Sequence, residues 1–198
     1  MSAEFVETRV AVEGGAARYA EAGTGAVVVV IGETFAPAPA HALLAQERRV
    51  IVVALDSALT AQEEARRIAM ALAALGLSHF DVMAHGTGAE AALSLGIVRP
   101  DAVGAIVLVA PEATELQEKF GGMTRPVLAL FGTKDDAATS GAGGRYRALL
   151  PDCHLMFVYD AGRDIAHERP EALAYIAREF FERRDLFLVT RESGLAFP

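Results

Sequence analysis

Ala84-His85-Gly86-Thr87-Gly88 ends one apolar run, "FDVMAHG", and leads into a helix-period segment, "GAEAALSLGIV". A strand that turns abruptly into a helix strains its central residue and leaves no room for bulk two positions to either side. Ala84 and Gly88 meet that requirement around position 86. Such a turn can present a nucleophilic side chain, yet position 86 is glycine. The same letters spell G-x-G-x-x-A from Gly86 to Ala91, and Glu112 ends the next apolar run where a ribose-binding acid would stand. That pattern seats a dinucleotide when it follows the first strand of a nucleotide-binding unit. Here four strand-like runs precede it, which weighs against a dinucleotide reading through Gly86-Thr87-Gly88.

The elements that must position these residues follow from hydrophobic spacing. "FVETRVAV" and "ARYAEAG" read as an antiparallel pair. "AVVVVIG", "RVIVVALD", "FDVMAHG", "AVGAIVLVA", "PVLALFG" and "HLMFVYDAG" read as strands buried on both faces. Segments of helical period lie between the later runs and after the last, from "PAHALLAQE" to "RPEALAYIAREFFERRD". Repeated strand-helix-strand units require crossover connections, so the fold class is α/β. A mostly parallel sheet of about eight strands with helices on both faces is expected. Thr60 with Glu63 makes a capping box, and Pro100, Pro126 and Pro170 mark element starts. Ligands of such sheets bind beyond the carboxyl ends of the strands. Those ends carry Gly32, Glu33, Thr34, His85 to Gly88, Pro111, Glu112, Asp135, Asp136, Arg163 and Asp164.

With the elements in this order, the chain from "VAVEGGAARYAEAG" to "ERPEALAYIAREFF" resembles the α/β-hydrolase fold, in which a "GHSxGG"-type elbow is followed by "GxxD" and then "GH". The resemblance covers nearly all of the chain. It implies one hydrolase-like domain over residues 1–185, with 186–198 as a tail docked on the body or exchanged in a dimer. It also implies roles for single positions. Gly86 falls at the nucleophile position, and the Thr87 N–H resembles one oxyanion donor. Gly32-Glu33-Thr34 occupies the place of the loop that gives the other. Asp135 in "GTKDD" matches the acid, and Arg163 in "DAGRDIAHERPE" stands where the family has its histidine. Many members insert a helical lid at the stretch corresponding to "PEATELQEKFGGMTR", which is too short for one, so a lidless, open cleft is expected.

Two of the three triad positions therefore hold residues unable to do that work. Glycine has no side chain to attack with, and a guanidinium is protonated at any useful pH and cannot act as a base. Losing nucleophile and base costs roughly 10⁶ in rate. Conventional serine hydrolase activity is not expected, and the protein reads as a degenerate hydrolase, a binding or interaction protein. Glycine would relieve the strain of the turn, and Arg163 opposite Asp135 would replace a histidine–aspartate hydrogen bond with a charge-assisted pair. The alternative is chemistry from other residues. Thr87 is the nearest hydroxyl, His85 reads as a packing histidine behind the turn, and His167 reads as exposed before a helix start. Glu33, Glu112, Asp135 and Asp136 beside Arg163 could form a polar pocket or an acid–base pair, although a carboxylate at Glu33 opposes a developing oxyanion.

Composition bounds the rest. A chain of 198 residues at 53% hydrophobic suits one compact domain. The formal charge of −8, with no basic run longer than a pair, disfavours nucleic acid. Arg48-Arg49, Arg66-Arg67 and Arg183-Arg184 read as solvated charge at element ends and on polar helix faces. No apolar run approaches the roughly 18 residues of a membrane span. "MSAEFVETRV" lacks the pattern of a secretory signal, so cytoplasm is the expected location. Cys153 has no second cysteine to pair with and reads as core packing. No cofactor or metal is implied. The expected partner is a small molecule or a protein in the open cleft, with a homodimer through the tail as a further expectation.

Overall fold

The structure, a computed structural model, describes residues 3–12, 15–112 and 118–184, and only the backbone of 118, 119 and 137–140. The tail 186–198, and with it the expected docking or exchange, lies outside the described residues.

Eight strands form one sheet in the order β1-β2-β4-β3-β5-β6-β7-β8. They are β1 (Val6–Val12), β2 (Gly15–Ala22), β3 (Val27–Gly32), β4 (Arg49–Ala54), β5 (Phe80–His85), β6 (Val103–Val109), β7 (Val127–Gly132) and β8 (Cys153–Val158). The pair β1–β2 is antiparallel, β2 meets β4 antiparallel, and β3 to β8 run parallel. The helices are α1 (Pro39–Leu44), α2 (Ala61–Ala74), α3 (Ala89–Val98), α4 (Ala137–Leu149), α5 (Ile165–Glu168) and α6 (Pro170–Arg183).

Strand period explains why the central runs are continuously apolar. Val29, Ile31, Ile51 and Val53 point into one core with side chains of α2, α3 and α4. Their neighbours Val28, Val30, Val50 and Val52 point into the other, with α1, α5 and α6. Strand β8 departs from the expectation. Most of its residues are only half-buried and Phe157 is exposed, because it ends the sheet and has one neighbouring strand. Among the described residues, no helix is long and apolar enough to cross a membrane.

The start of α2 is set locally. Glu63 N–H donates to Thr60 Oγ1 at 3.3 Å while Thr60 N–H donates to Glu63 Oε2 at 2.9 Å. Thr60→Ala is expected to lower unfolding free energy by about 1 kcal/mol, measured by urea denaturation. A change within experimental error would mean that the first turn is held by packing of α2 alone.

Of the arginines read as solvated, Arg48, Arg49 and Arg67 are instead buried or half-buried in ion pairs, whereas Arg184 is exposed as expected. Arg48 is buried and bonds Asp81 Oδ2 at 3.2 Å, while Arg184 approaches Asp81 Oδ1 at 3.7 Å. Arg67 pairs at 2.8 Å with Glu64, whose carboxylate is buried against the Asp56 amide. Spacing along the chain does not reveal that α6 ends over the start of β5, which is what covers the Arg48–Asp81 pair. Cys153 is half-buried at the edge of the core, and burial pushes its thiol up to about 12, so it packs rather than reacts.

Candidate functional site

The elbow is built as its spacing requires. Strand β5 stops at His85, and Gly86–Gly88 form one 3-10 turn that runs into α3. Gly86 has φ +52, the left-handed region that costs other residues roughly 1 kcal/mol or more. A Cβ on Gly88 would lie 3.0 Å from Ile31 O, so the turn packs directly on β3 and tolerates little bulk there. Ala84 is fully buried.

The remaining candidates gather around this turn from loops at the same sheet end. Thr87 Oγ1 donates to Glu33 Oε1 at 3.0 Å, which engages the nearest hydroxyl and sets a carboxylate beside the start of α3. Arg163, after β8, reaches over the elbow, its Nη2 lying 3.7 Å from where a Cβ on Gly86 would stand. The same nitrogen pairs with Glu112 Oε1. The expected partner was Asp135, and the structure corrects this, since Glu112 takes the guanidinium. Glu112 is brought there by the backbone after β6. Ala110 adopts φ +44, and Glu112 N–H approaches Gly86 O at 3.4 Å. Tyr146 Oη then holds Glu112 O at 2.9 Å. With its carboxylate held by Arg163, Glu112 is not free to receive a ribose.

Asp135 lies in the loop after β7. Its N–H donates to Gly132 O at 3.1 Å, and its Oδ1 accepts the Asp136 N–H at 3.0 Å. Asp136 is exposed. His167 is exposed and precedes the start of α6 at Pro170, as expected, but it also lies within the short helix α5, and its Nδ1 lies 2.9 Å from Asp164 Oδ1.

A cavity of about 370 Å³ opens beside the elbow, bordered by Gly32, Glu33, Thr34, Gly86, Arg163 and His167. Its floor carries a residue the sequence did not single out, His41. That histidine sits in the first turn of α1 and meets His85, with the two Nε2 atoms 2.9 Å apart. Burial is the main cause that pushes His41 down to about 3 and His85 down to about 4, each also opposed by neighbouring imidazoles; Asp164 partly offsets this at His85. Both are therefore neutral at pH 7. The only sequence signal for His41 is a polar residue inside "PAHALL", and nothing local says it will meet a residue 44 positions away. Among the described residues, no group of three or more histidine, cysteine, aspartate or glutamate side chains could hold a metal ion.

The stretch between β6 and β7, residues 110–126, is too short for a lid domain, and its described part contains one 3-10 turn, Glu118–Gly122. No protein-family model and no curated protein matches the chain. Solved structures do. A serine hydrolase involved in carbazole degradation superposes with a TM-score of 0.79 at 17% identity, covering 91% of this chain and 100% of that one. Carboxylesterase CesB of Bacillus subtilis gives 0.78 at 14% identity, covering 89% and 91%. Naproxen esterase of Bacillus subtilis gives 0.78 at 12% identity, covering 90% and 92%. Likeness at that identity speaks to architecture and leaves activity open. With the strand order, the elbow after β5 and these superpositions together, the chain has the α/β-hydrolase fold.

Proposed function

We propose that this protein is a degenerate hydrolase that binds a small molecule in the cleft beside its elbow without hydrolysing it. One observation carries the reading: the nucleophile position is Gly86, and the Arg163 guanidinium, ion-paired to Glu112, lies over it. The attacking atom is missing, and the group above it is a permanent cation without a lone pair to accept a proton. The neighbours do not substitute. The Thr87 hydroxyl is bonded to Glu33, and that carboxylate stands where negative charge would develop. His41 and His85 are bonded to each other, and burial pushes both far below the range of a useful base at pH 7.

Hydrolysis of p-nitrophenyl acetate by purified protein tests this. The wild type is expected to match the buffer rate, and Gly86→Ser to gain a small, measurable rate. A serine Cβ at that point meets Arg163 only in ordinary contact at 3.7 Å, so the variant folds with a loss of about 1 kcal/mol from the left-handed backbone. Fast wild-type turnover that disappears in Asp135→Ala would overturn the proposal and assign real chemistry to the acid position.

A further inference from the structure

The protons of the two cavity-floor histidines can be assigned from their partners. His41 Nδ1 accepts the Ala38 N–H at 3.0 Å. A neutral imidazole that accepts at Nδ1 carries its proton on Nε2. That Nε2–H points at His85 Nε2, 2.9 Å away, so His85 accepts there and carries its own proton on Nδ1. Among the described residues no protein acceptor meets His85 Nδ1–H, the half-buried His85 is not among the residues with a buried unpartnered polar atom, and it borders the cavity, so this donor stays open to whatever enters there. The chain of hydrogen bonds begins at the Ala38 amide just before α1 and ends on a donor without a protein acceptor. A donor at a cavity wall is met by water when the cavity is empty of ligand and by an acceptor on any molecule that displaces that water.

We propose that this cavity binds a compact, uncharged, mostly apolar molecule through one carbonyl-type oxygen that accepts from His85 Nδ1–H. The proposal rests on the non-hydrolytic reading above, and adds what the ligand must look like and which side chain reads it.

The surroundings select for that chemistry. Val30, Val52, Val109, Ala38, Ala110 and Ala166 contribute the apolar lining, and the volume of about 370 Å³ falls in the range that encloses small organic ligands. The mouth holds Arg163, but its charge is already met by Glu112, with Glu33 and Asp164 close by. An anion would have to displace Glu112 and pass two further carboxylates, at a desolvation cost of its own. A cation is drawn to the mouth but finds a donor, not an acceptor, at the floor. A metal ion between the two Nε2 atoms is disfavoured by the same proton assignment. It would force the His41 proton onto Nδ1, directly against the Ala38 N–H. A neutral acceptor satisfies every group present.

The test uses the full-length protein labelled with nitrogen-15, with the histidine imidazole signals followed by long-range proton–nitrogen spectra. Acetophenone, benzoate and benzylamine are titrated separately. All three are inert to hydrolysis, so the outcome does not depend on whether the protein has esterase activity, and the ester assay above can fail while this one succeeds. Acetophenone is expected to shift the His85 Nδ1 signal saturably, and to bind at least about tenfold more tightly than benzoate or benzylamine. His85→Phe is expected to weaken acetophenone binding by about tenfold, the usual effect of removing one buried hydrogen-bond donor. Ala36→Trp, at an exposed position on the cavity border, should block binding while leaving the His41–His85 signals in place. If His85→Phe does not fold, the three-probe comparison in the wild type still decides. Equal or tighter binding of benzoate or benzylamine, no saturable His85 shift with any probe, or unchanged acetophenone affinity in a folded His85→Phe variant would each overturn the proposal.

Discussion

Lowering the pH from 7 to 5 will remove roughly 2–4 kcal/mol of folding stability, the larger share from His41 and the smaller from His85. In the folded protein burial pushes these imidazoles down to about 3 and about 4, whereas in the unfolded chain they return to the ordinary value near 6.5. Between those limits the unfolded chain binds two more protons than the native state. Stability is therefore fully present above about pH 6.5 and is lost as pH falls toward the folded-state values. The slope in the middle of the window is at most about 3 kcal/mol per pH unit, the limit for two sites. His85 borders the cavity, so its share is the smaller of the two. The raised pKa of buried Asp81 works in the opposite sense, favouring the native state as that carboxyl gains a proton. The lowered carboxyls of Glu63 and Asp160 lose their stabilisation only at lower pH, through the carboxylate range. Urea unfolding at pH 7, 6 and 5 separates these effects, since above pH 5 the histidines dominate. A stability that stays level across this range would mean that the pair is not held neutral. His41→Gln, which removes the ring with the larger share, should cut the slope by at least half.

Arg48→Ala will cost about 3 kcal/mol, the second large effect. The guanidinium is buried, bonded to Asp81 at 3.2 Å, and stacked over the Phe181 ring at 5.5 Å from its centroid. Removing it leaves a buried carboxylate held by the Ala105 N–H at 3.0 Å and by Arg184 at 3.7 Å. Breaking one side of a buried pair typically costs 3–5 kcal/mol, and the remaining Arg184 places the expectation at the low end. Burial already raises the Asp81 pKa, with Arg184 and Arg48 opposing the rise, so the variant's Asp81 should be raised further. A double variant, Arg48→Met with Asp81→Asn, is expected to recover most of the loss because no buried charge is left alone. Urea denaturation of the three variants checks this. A loss below about 1 kcal/mol in Arg48→Ala would show that the pair is already screened by water.

The buried pair and the cavity lie at opposite ends of β5. Asp81 stands near its start and His85 at its end, before the elbow. The two predictions therefore report on different parts of the molecule, and sites this far apart along a strand should add in a combined variant.

Much of the architecture was legible because it is written in short-range pattern. The eight apolar runs became eight strands, the antiparallel start and parallel remainder followed, and the Thr60–Glu63 capping box formed. The turn at Gly86 was legible for the same reason, since small residues two positions either side of it are a local steric demand. Strand β8 was read as buried on both faces because its composition matches the central strands, and composition carries no record of which strand ends a sheet.

Sequence by itself determined which chemical groups the site can hold: a glycine at the elbow, an arginine in the loop after the last strand, and carboxylates at the strand ends. These are properties of residue type and of spacing within one element. Tertiary structure alone decided which of those groups meet. Arg163 could have paired with Asp135 or Glu112, since both lie on loops at the same sheet end, and the bend at Ala110 selected Glu112. His41 became part of the cavity only because the start of α1 packs against the end of β5. Arg48 and Asp81, 33 positions apart, became a buried pair only when α6 closed over them. Contacts across such separations depend on loop length, strand order and helix placement together, and no local stretch of residues encodes that sum.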